Sequence, residues 1–193
     1  RYSMSQEIEI EFKNMLTKNE YQELQRFFQL ENKEPIVQTN HYFETEDFQL
    51  KQHGAALRIR EKDNLWQLTL KEPHQSGGLL ETHDTLTPQE AQSWIHGAII
   101  PKPHVANQLN QLNIDFAHLK YGGSLRTHRQ EVIYSDTIVV LDYSEYNGIS
   151  DYELEIEARN YHHGERVFKK LLQMHDIPNR ETDNKIKRFY TTL

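Results

Sequence analysis

Three carboxylates and an ammonium occupy alternate positions in Glu7-Ile8-Glu9-Ile10-Glu11-Phe12-Lys13. A second run, Tyr152-Glu153-Leu154-Glu155-Ile156-Glu157, repeats the pattern. Period two is the period of a β-strand, whose side chains point alternately to opposite faces. Each run therefore predicts a strand with one apolar face and one acidic face. Like charges in a row repel, so open water, a metal ion or cationic neighbours must offset them. Hard carboxylate oxygens at this spacing can hold Mg²⁺ or Mn²⁺, directly or through water. Two further segments carry the opposite sign. Leu57-Arg58-Ile59-Arg60 and Leu68-Thr69-Leu70-Lys71 put Arg58, Arg60 and Lys71 on polar faces. Guanidinium and ammonium groups can bracket the oxygens of a phosphate chain. Faces that need cations beside faces that need anions describe the two halves of a metal–polyphosphate complex.

The elements that must position these residues are legible from periodicity and turn chemistry. Strands are predicted over residues 7–13, 36–45, 56–62, 65–71, 79–86, 124–134, 137–146 and 151–158. Asp63-Asn64, Ser135-Asp136 and Asn147-Gly148 supply turns between them. Thr17, with Glu20 three residues on, predicts a capped helix with an apolar stripe from Tyr21 to Leu30. Thr87-Pro88 starts another, with Thr at the cap and Pro at the first position. From 88 to 120 the pattern is helical and broken by Gly97, Pro101 and Pro103, which predicts a helical insert between two groups of strands; Gly122-Gly123 is expected to end it. Residues 163–175 and 184–190 predict two last helices. No linker and no low-complexity tract divides the chain, so residues 1–193 are expected to form a single domain.

Composition excludes several classes. A net charge of −7 argues against a nucleic-acid binder, because phosphate backbones favour a basic face. The absence of cysteine removes disulfides, thiolate metal sites and a thiol nucleophile. No apolar run approaches the roughly 20 residues of a membrane span, and no leader is visible, so a cytoplasmic protein with no membrane partner is expected. Arg1-Tyr2-Ser3 precede Met4 and are either an expression remnant or an alternative start. There is no P-loop, no dinucleotide fingerprint and no serine-hydrolase elbow. The eleven histidines include no helical zinc pair and read as surface or loop residues. Trp66 and Trp94 read as core residues. Oligomeric state is not legible.

Taken singly, an alternating strand reads as part of a sheet with one wet face. Taken together, the strands admit a sharper reading: a closed sheet with polar faces inward and apolar faces under covering helices. The interior is then a hydrated, charged tunnel.

Here a resemblance enters. Glu9-Ile10-Glu11-Phe12-Lys13 is similar to the Glu-x-Glu-x-Lys signature of the CYTH superfamily, the triphosphate tunnel metalloenzymes. His41-Tyr42-Phe43, Leu57-Arg58-Ile59-Arg60 and Leu68-Thr69-Leu70-Lys71 resemble the family's next strands. Leu141-Asp142, Gly148 and the Glu153/Glu155/Glu157 strand resemble the far end of its tunnel. Asn184-Lys185-Ile186-Lys187-Arg188 resembles its C-terminal Ser-Lys-Tyr-x-Arg, with Asn and Ile replacing Ser and Tyr. The chain most resembles the Bacillus-type members of about this length.

The resemblance implies an α+β fold: an eight-stranded antiparallel barrel with a polar interior and helices outside. It implies Mg²⁺ or Mn²⁺ on Glu9, Glu11, Asp142, Glu153 and Glu155, with Glu157 as a substitute. It implies phosphate binding by Lys13, Arg58, Arg60, Lys71, Arg129, Lys185 and Arg188. Arg126 and Arg129 cannot both face inward from one regular strand, and Arg129 is preferred. Glu9, Glu11, Lys13 and Lys185 are the expected catalytic residues, the lysines offsetting charge on the leaving phosphate. The expected reaction is hydrolysis of a small-molecule triphosphate, foremost inorganic tripolyphosphate. Thiamine triphosphate hydrolysis, class IV adenylate cyclase chemistry on ATP, or binding of a polyphosphate or nucleotide without catalysis are the alternatives.

Overall fold

The computed structural model describes residues 5–193, and the origin of Arg1-Tyr2-Ser3 lies outside the described residues. In chain order the elements are β1 (Gln6–Leu16), α1 (Lys18–Phe27), β2 (Ile36–Thr45), the single turn α2 (Gln49–Gln52), β3 (Ala56–Lys62), β4 (Leu65–Pro73) and β5 (Leu79–Leu86). There follow α3 (Pro88–Ile95), α4 (Pro103–Gln111), a 3-10 turn (Phe116–His118), β6 (Leu119–Tyr134), β7 (Thr137–Tyr146), β8 (Ile149–Ala158), α5 (Tyr161–Met174) and α6 (Lys185–Thr191). The eight strands close into an antiparallel barrel in the order β1-β5-β4-β3-β2-β6-β7-β8.

Three hairpins use two-residue turns in the left-handed region: Asp63-Asn64 (φ 52° and 61°), Ser135-Asp136 (49° and 59°) and Asn147-Gly148 (50° and 76°). This backbone matches the right-handed twist of the flanking strands. It fixes the register on which the charged faces depend, since a slip of one residue would turn every carboxylate to the other side.

The chain forms two compact units. The first comprises residues up to Ile8 and Gln38–Leu125. Within it, Leu57, Ile59, Leu68 and Leu70 are fully buried against Trp94, Val105 and Leu109 of α3 and α4. The helical insert is therefore the apolar cover of β3 and β4. By alternation, Arg58, Arg60, Thr69 and Lys71 point to the opposite face. Trp94 donates its indole N–H to the Ile100 carbonyl at 3.0 Å and meets Phe43 edge-on, so it is a core residue, as expected.

The second unit comprises Glu9–Val37 and Arg126–Leu193. Here Leu154 and Ile156 of β8 and Val139 and Leu141 of β7 pack under Val167, Phe168 and Leu171 of α5 and Tyr21 and Leu24 of α1. Helix α5 sits close on the strands because residue 164 is glycine. A Cβ there would lie 2.6 Å from the Ala158 Cβ and 2.7 Å from Cε2 of Phe12. The Thr17–Glu20 capping box is present, and Arg180 grips Glu20 through two hydrogen bonds of 2.7 and 3.1 Å. The irregular stretch from Pro178 to Asn184 is tied to β1 by the buried Asn14. Its side chain donates to the Pro178 carbonyl (3.0 Å) and accepts from the Arg180 amide (2.7 Å). That tie sets where α6 begins.

The structure departs from the sequence reading at a few boundaries. β6 starts at Leu119 rather than 124, and Gly122-Gly123 lie inside it. Gly123 takes φ 129° there, a conformation open to glycine, so the strand passes through the pair where a helix stop was expected. α5 starts at Tyr161, because the Asn160 side chain caps it by accepting from the His163 amide. The short α2 was not expected. Its buried anchor is Glu44, whose carboxylate accepts from the amides of Thr45, Leu50 and Lys51.

Two stability predictions follow from these contacts. The Arg180 hydrogen bond, with the Thr17 cap beside it, holds the Glu20 carboxyl below its ordinary 4.5. Ionised Glu20 therefore stabilises the fold above that unfolded value, and the contribution is lost as pH falls through the lowered one. Glu20→Gln is expected to melt below wild type at pH 7 and to converge with it once pH falls below the lowered folded value; equal melting at pH 7 would contradict this. Gly164→Ala forces Phe12 or α5 to shift and should cost about 1–3 kcal/mol. The readout is a lowered denaturant midpoint at unchanged slope.

Candidate functional site

The second unit gathers most of the residues singled out from the sequence. Register places Glu11 opposite Glu157, and Lys13 opposite Glu155. It sets Asp142 opposite Glu153, and Arg129 opposite Asp142. Glu9, Glu11, Lys13, Arg129, Asp142, Asp151, Glu153, Glu155 and Glu157 thus share one face, with Leu154 and Ile156 on the other. The acidic face is sequestered rather than wet: Asp142 and Glu153 are wholly buried, and the Glu11 side chain is 7% exposed. Arg126 is exposed while Arg129 turns inward, as their odd spacing requires.

At the centre lie Asp142, Glu153 and Glu155. Each offers an oxygen, and these oxygens all lie within 4.8 Å of one another. Such a set repels by on the order of 3 kcal/mol per pair at an effective dielectric constant near 20. The structure offsets this with cations from other segments. Lys185, the first residue of α6, places its Nζ 2.8 Å from Asp142, 2.7 Å from Glu153 and 3.3 Å from Glu155. Arg129 forks onto both Asp142 oxygens at 2.8 and 2.7 Å. Arg188, one turn along α6, reaches Glu153 at 2.9 Å and Asp151 at 3.2 Å. Lys13 meets Glu11 at 3.1 Å.

Proton affinities follow from this packing. Burial alone would favour neutral Lys13, Arg129, Lys185 and Arg188, but the surrounding carboxylates outweigh it and raise all four, so each stays cationic. Burial likewise opposes ionisation of Asp142, yet Arg129 and Lys185 hold its pKa below the usual range. Glu157 goes the other way. Burial, then the Glu9 and Glu155 charges, push it up to about 7 against the pull of Arg129. Carboxylates outnumber cations on this face, and Glu157 carries the surplus.

Donor chemistry fits a hard divalent ion. The central set is all oxygen, and Glu153 Oε1 is buried with no hydrogen-bond partner among the described residues. Glu9, Glu11 and Glu157 share the face but are not drawn into the same tight set.

The first unit holds the other cations. Arg60 donates to Asn40 at 2.9 Å, and Lys71 pairs with Glu81 at 3.4 Å. Register sets Arg58 opposite Thr69, and Thr69 opposite His83. His83 bridges Thr69 Oγ1 (2.8 Å) and Glu7 (3.0 Å), with Glu81 at 3.4 Å. This corrects the reading of the histidines as surface or loop residues. His83 stands in β5 on the face that also carries Glu81, and the Glu81-Thr82-His83 alternation was the available signal. Glu7, 64% exposed, is half-committed to this histidine rather than simply solvated. Asp151 was also missed. It continues the Glu153/Glu155/Glu157 alternation by one step and binds Arg188.

The closed eight-stranded barrel, and in its second unit a basic C-terminal helix set into buried acids, fit the family that the sequence resembles. The model of the CYTH domain matches residues 7–190, and the chain belongs to the CYTH family. It is 50% identical over 187 residues to YjbK of Bacillus subtilis (strain 168), named as a candidate triphosphatase, covering 97% of this chain and 96% of that protein. It is 42% identical to a Bacillus halodurans protein solved as a candidate adenylate cyclase, with a TM-score of 0.92 over 97% of this chain and all of that one. A candidate adenylyl cyclase from Hippeastrum, described as having a dominant triphosphatase activity, shares the fold at 22% identity and a TM-score of 0.77 over 95% of each chain.

Removing one member of a buried ion pair leaves the other uncompensated. Arg129→Met should therefore destabilise by about 3–5 kcal/mol, and Arg129→Met/Asp142→Leu by less than the single change. Chemical denaturation of both variants reads this directly, and a double variant as unstable as the single one would contradict the pairing.

Proposed function

We propose that this chain hydrolyses a triphosphate in a divalent-metal-dependent reaction, with inorganic tripolyphosphate as the substrate and the cytoplasm as its setting. One observation carries the reading. The Asp142–Glu153–Glu155 set is buried and ringed by Arg129, Lys185 and Arg188, with Lys13 paired to Glu11 on the same face, a density of both signs that a folded core does not need for its own stability.

The fit of the donor set supports Asp142, Glu153 and Glu155 as ligands of the ion, with Glu9, Glu11 and Glu157 available on the same face. Mg²⁺ or Mn²⁺ bound there would neutralise phosphate oxygens and acidify a water. The protein's own groups do the remainder. Lys13, Arg129, Lys185 and Arg188 donate to the phosphate chain. Phosphoryl transfer asks for positioning and charge stabilisation more than for a protein nucleophile. Water adds at a terminal phosphorus, the bridging P–O bond breaks, and Lys13 or Lys185 offsets the charge left on pyrophosphate.

The likeness to the Bacillus halodurans protein supports a second reading, in which the ribose 3′-oxygen of ATP attacks in place of water. One assay separates the two: phosphate and cyclic AMP are measured with tripolyphosphate, ATP and thiamine triphosphate, each with Mg²⁺ and Mn²⁺. Phosphate release fastest from tripolyphosphate is expected. Lys13→Ala should lower kcat/KM about 10²-fold, and Glu11→Ala should lose activity that excess metal partly restores. A wild-type protein that turns over none of the three would end the proposal.

A further inference from the structure

Lys185 is a phosphate donor in the reading above, and its position raises a question that reading does not answer. Its ammonium touches Asp142, Glu153 and Glu155 together, at 2.8, 2.7 and 3.3 Å. Their oxygens form one of two sets among the described residues that could hold a metal, the other being Glu7, Glu81 and His83. An ammonium and a divalent ion cannot share one set of oxygens at contact distance. We propose that Lys185 is a displaceable internal cation: it fills the Asp142–Glu153–Glu155 set in the resting protein and yields it only when a triphosphate draws the ammonium away.

Charge bookkeeping supports this. Against Asp142, Asp151, Glu153 and Glu155 stand Arg129, Lys185 and Arg188, so the resting set is nearly neutral. A divalent ion arriving alone meets three fixed cations and little net attraction. Withdrawal of Lys185 restores one full negative charge where the ion must sit. Of the three cations, Lys185 is the one built to leave. Arg129 is locked by a bidentate fork onto Asp142. Arg188 is held by Asp151, Glu153 and the Asp183 carbonyl. Lys185 is a single ammonium on a flexible four-carbon stem. It stands at the start of α6, just after the irregular stretch that ends at Asn184. The helix can stay in place, with Phe189 buried beneath it, while the side chain swings. Glu153 Oε1, buried and without a hydrogen-bond partner among the described residues, is the oxygen such an exchange leaves ready for the incoming ion.

A triphosphate supplies what the ammonium gives up, because its oxygens replace the carboxylates as acceptors. Metal and polyphosphate then bind with positive coupling, each removing the other's obstacle. The inference rests on the triphosphate-binding reading, yet its test needs no turnover.

Mn²⁺ affinity is measured by electron paramagnetic resonance in the absence of any phosphate, for wild type, Lys185→Met and Lys185→Arg. Lys185→Met keeps the shape of the stem and removes the charge. It should bind Mn²⁺ about tenfold or more tightly than wild type, and adding Glu153→Gln should abolish the gain. Lys185→Arg should stay near wild type. Because Lys185→Met leaves three buried carboxylates facing one another, it is expected to need metal for full stability. Its melting temperature should then rise with Mn²⁺ more than that of wild type. Equal Mn²⁺ affinity in wild type and Lys185→Met overturns the proposal, and so does a Lys185→Met protein that stays unfolded at every metal concentration. Wild-type turnover of tripolyphosphate with unchanged metal affinity in Lys185→Met would sink this inference while leaving the proposed activity standing.

Discussion

Everything in the second unit answers to one constraint: carboxylates on two strands, β7 and β8, are held out of water within 4.8 Å of one another. Burying one ion costs several kcal/mol, and burying neighbours of like sign adds repulsion to that cost. Arg129, Lys185 and Arg188 are the response, and each comes from a different part of the chain or a different turn of α6. The cations do not simply pair off. Lys185 serves three acids and Arg188 two, so the loss of any one is felt across the set. Such an arrangement is a poor way to stabilise a core and a good way to keep opposed charges ready for a ligand that carries both signs.

The apolar half of the structure exists to make that arrangement possible. Each alternating strand needs a cover for its greasy face. In the first unit the cover is α3 and α4; in the second it is α1 and α5. Where the cover must come close, a small residue permits it, as Gly164 does over Phe12. Where a segment must be aimed, a buried polar side chain pins it. Asn14 is the neighbour of Lys13 in sequence but faces the other way, and it fastens the stretch that delivers Lys185 and Arg188.

Period-two patterning made the strands, their sign and the three tight turns readable from the letters, because alternation and turn chemistry are local. The residues singled out only through family likeness were those whose partners are non-local. Asp142 sits in Ile138-Val139-Val140-Leu141-Asp142, where nothing nearby marks it as one of a trio. Lys185 and Arg188 look like any basic helix face until the acids beneath them are known. His83 was misread because its partners, Glu7 and Thr69, lie on other strands. Gly122-Gly123 misled for the opposite reason. The local signal for a break is strong there, and the pairing of a long strand overrides it.

The order of the segments along the polypeptide has a consequence for biosynthesis. Ribosomes deliver β1, β6, β7 and β8 before α6, so the acid-bearing strands emerge with Lys13 and Arg129 but ahead of Lys185 and Arg188. A nascent chain therefore carries acids that Lys13 and Arg129 offset only in part until α6 arrives. The acidic face should therefore reach its full set of ion pairs only once α6 is available.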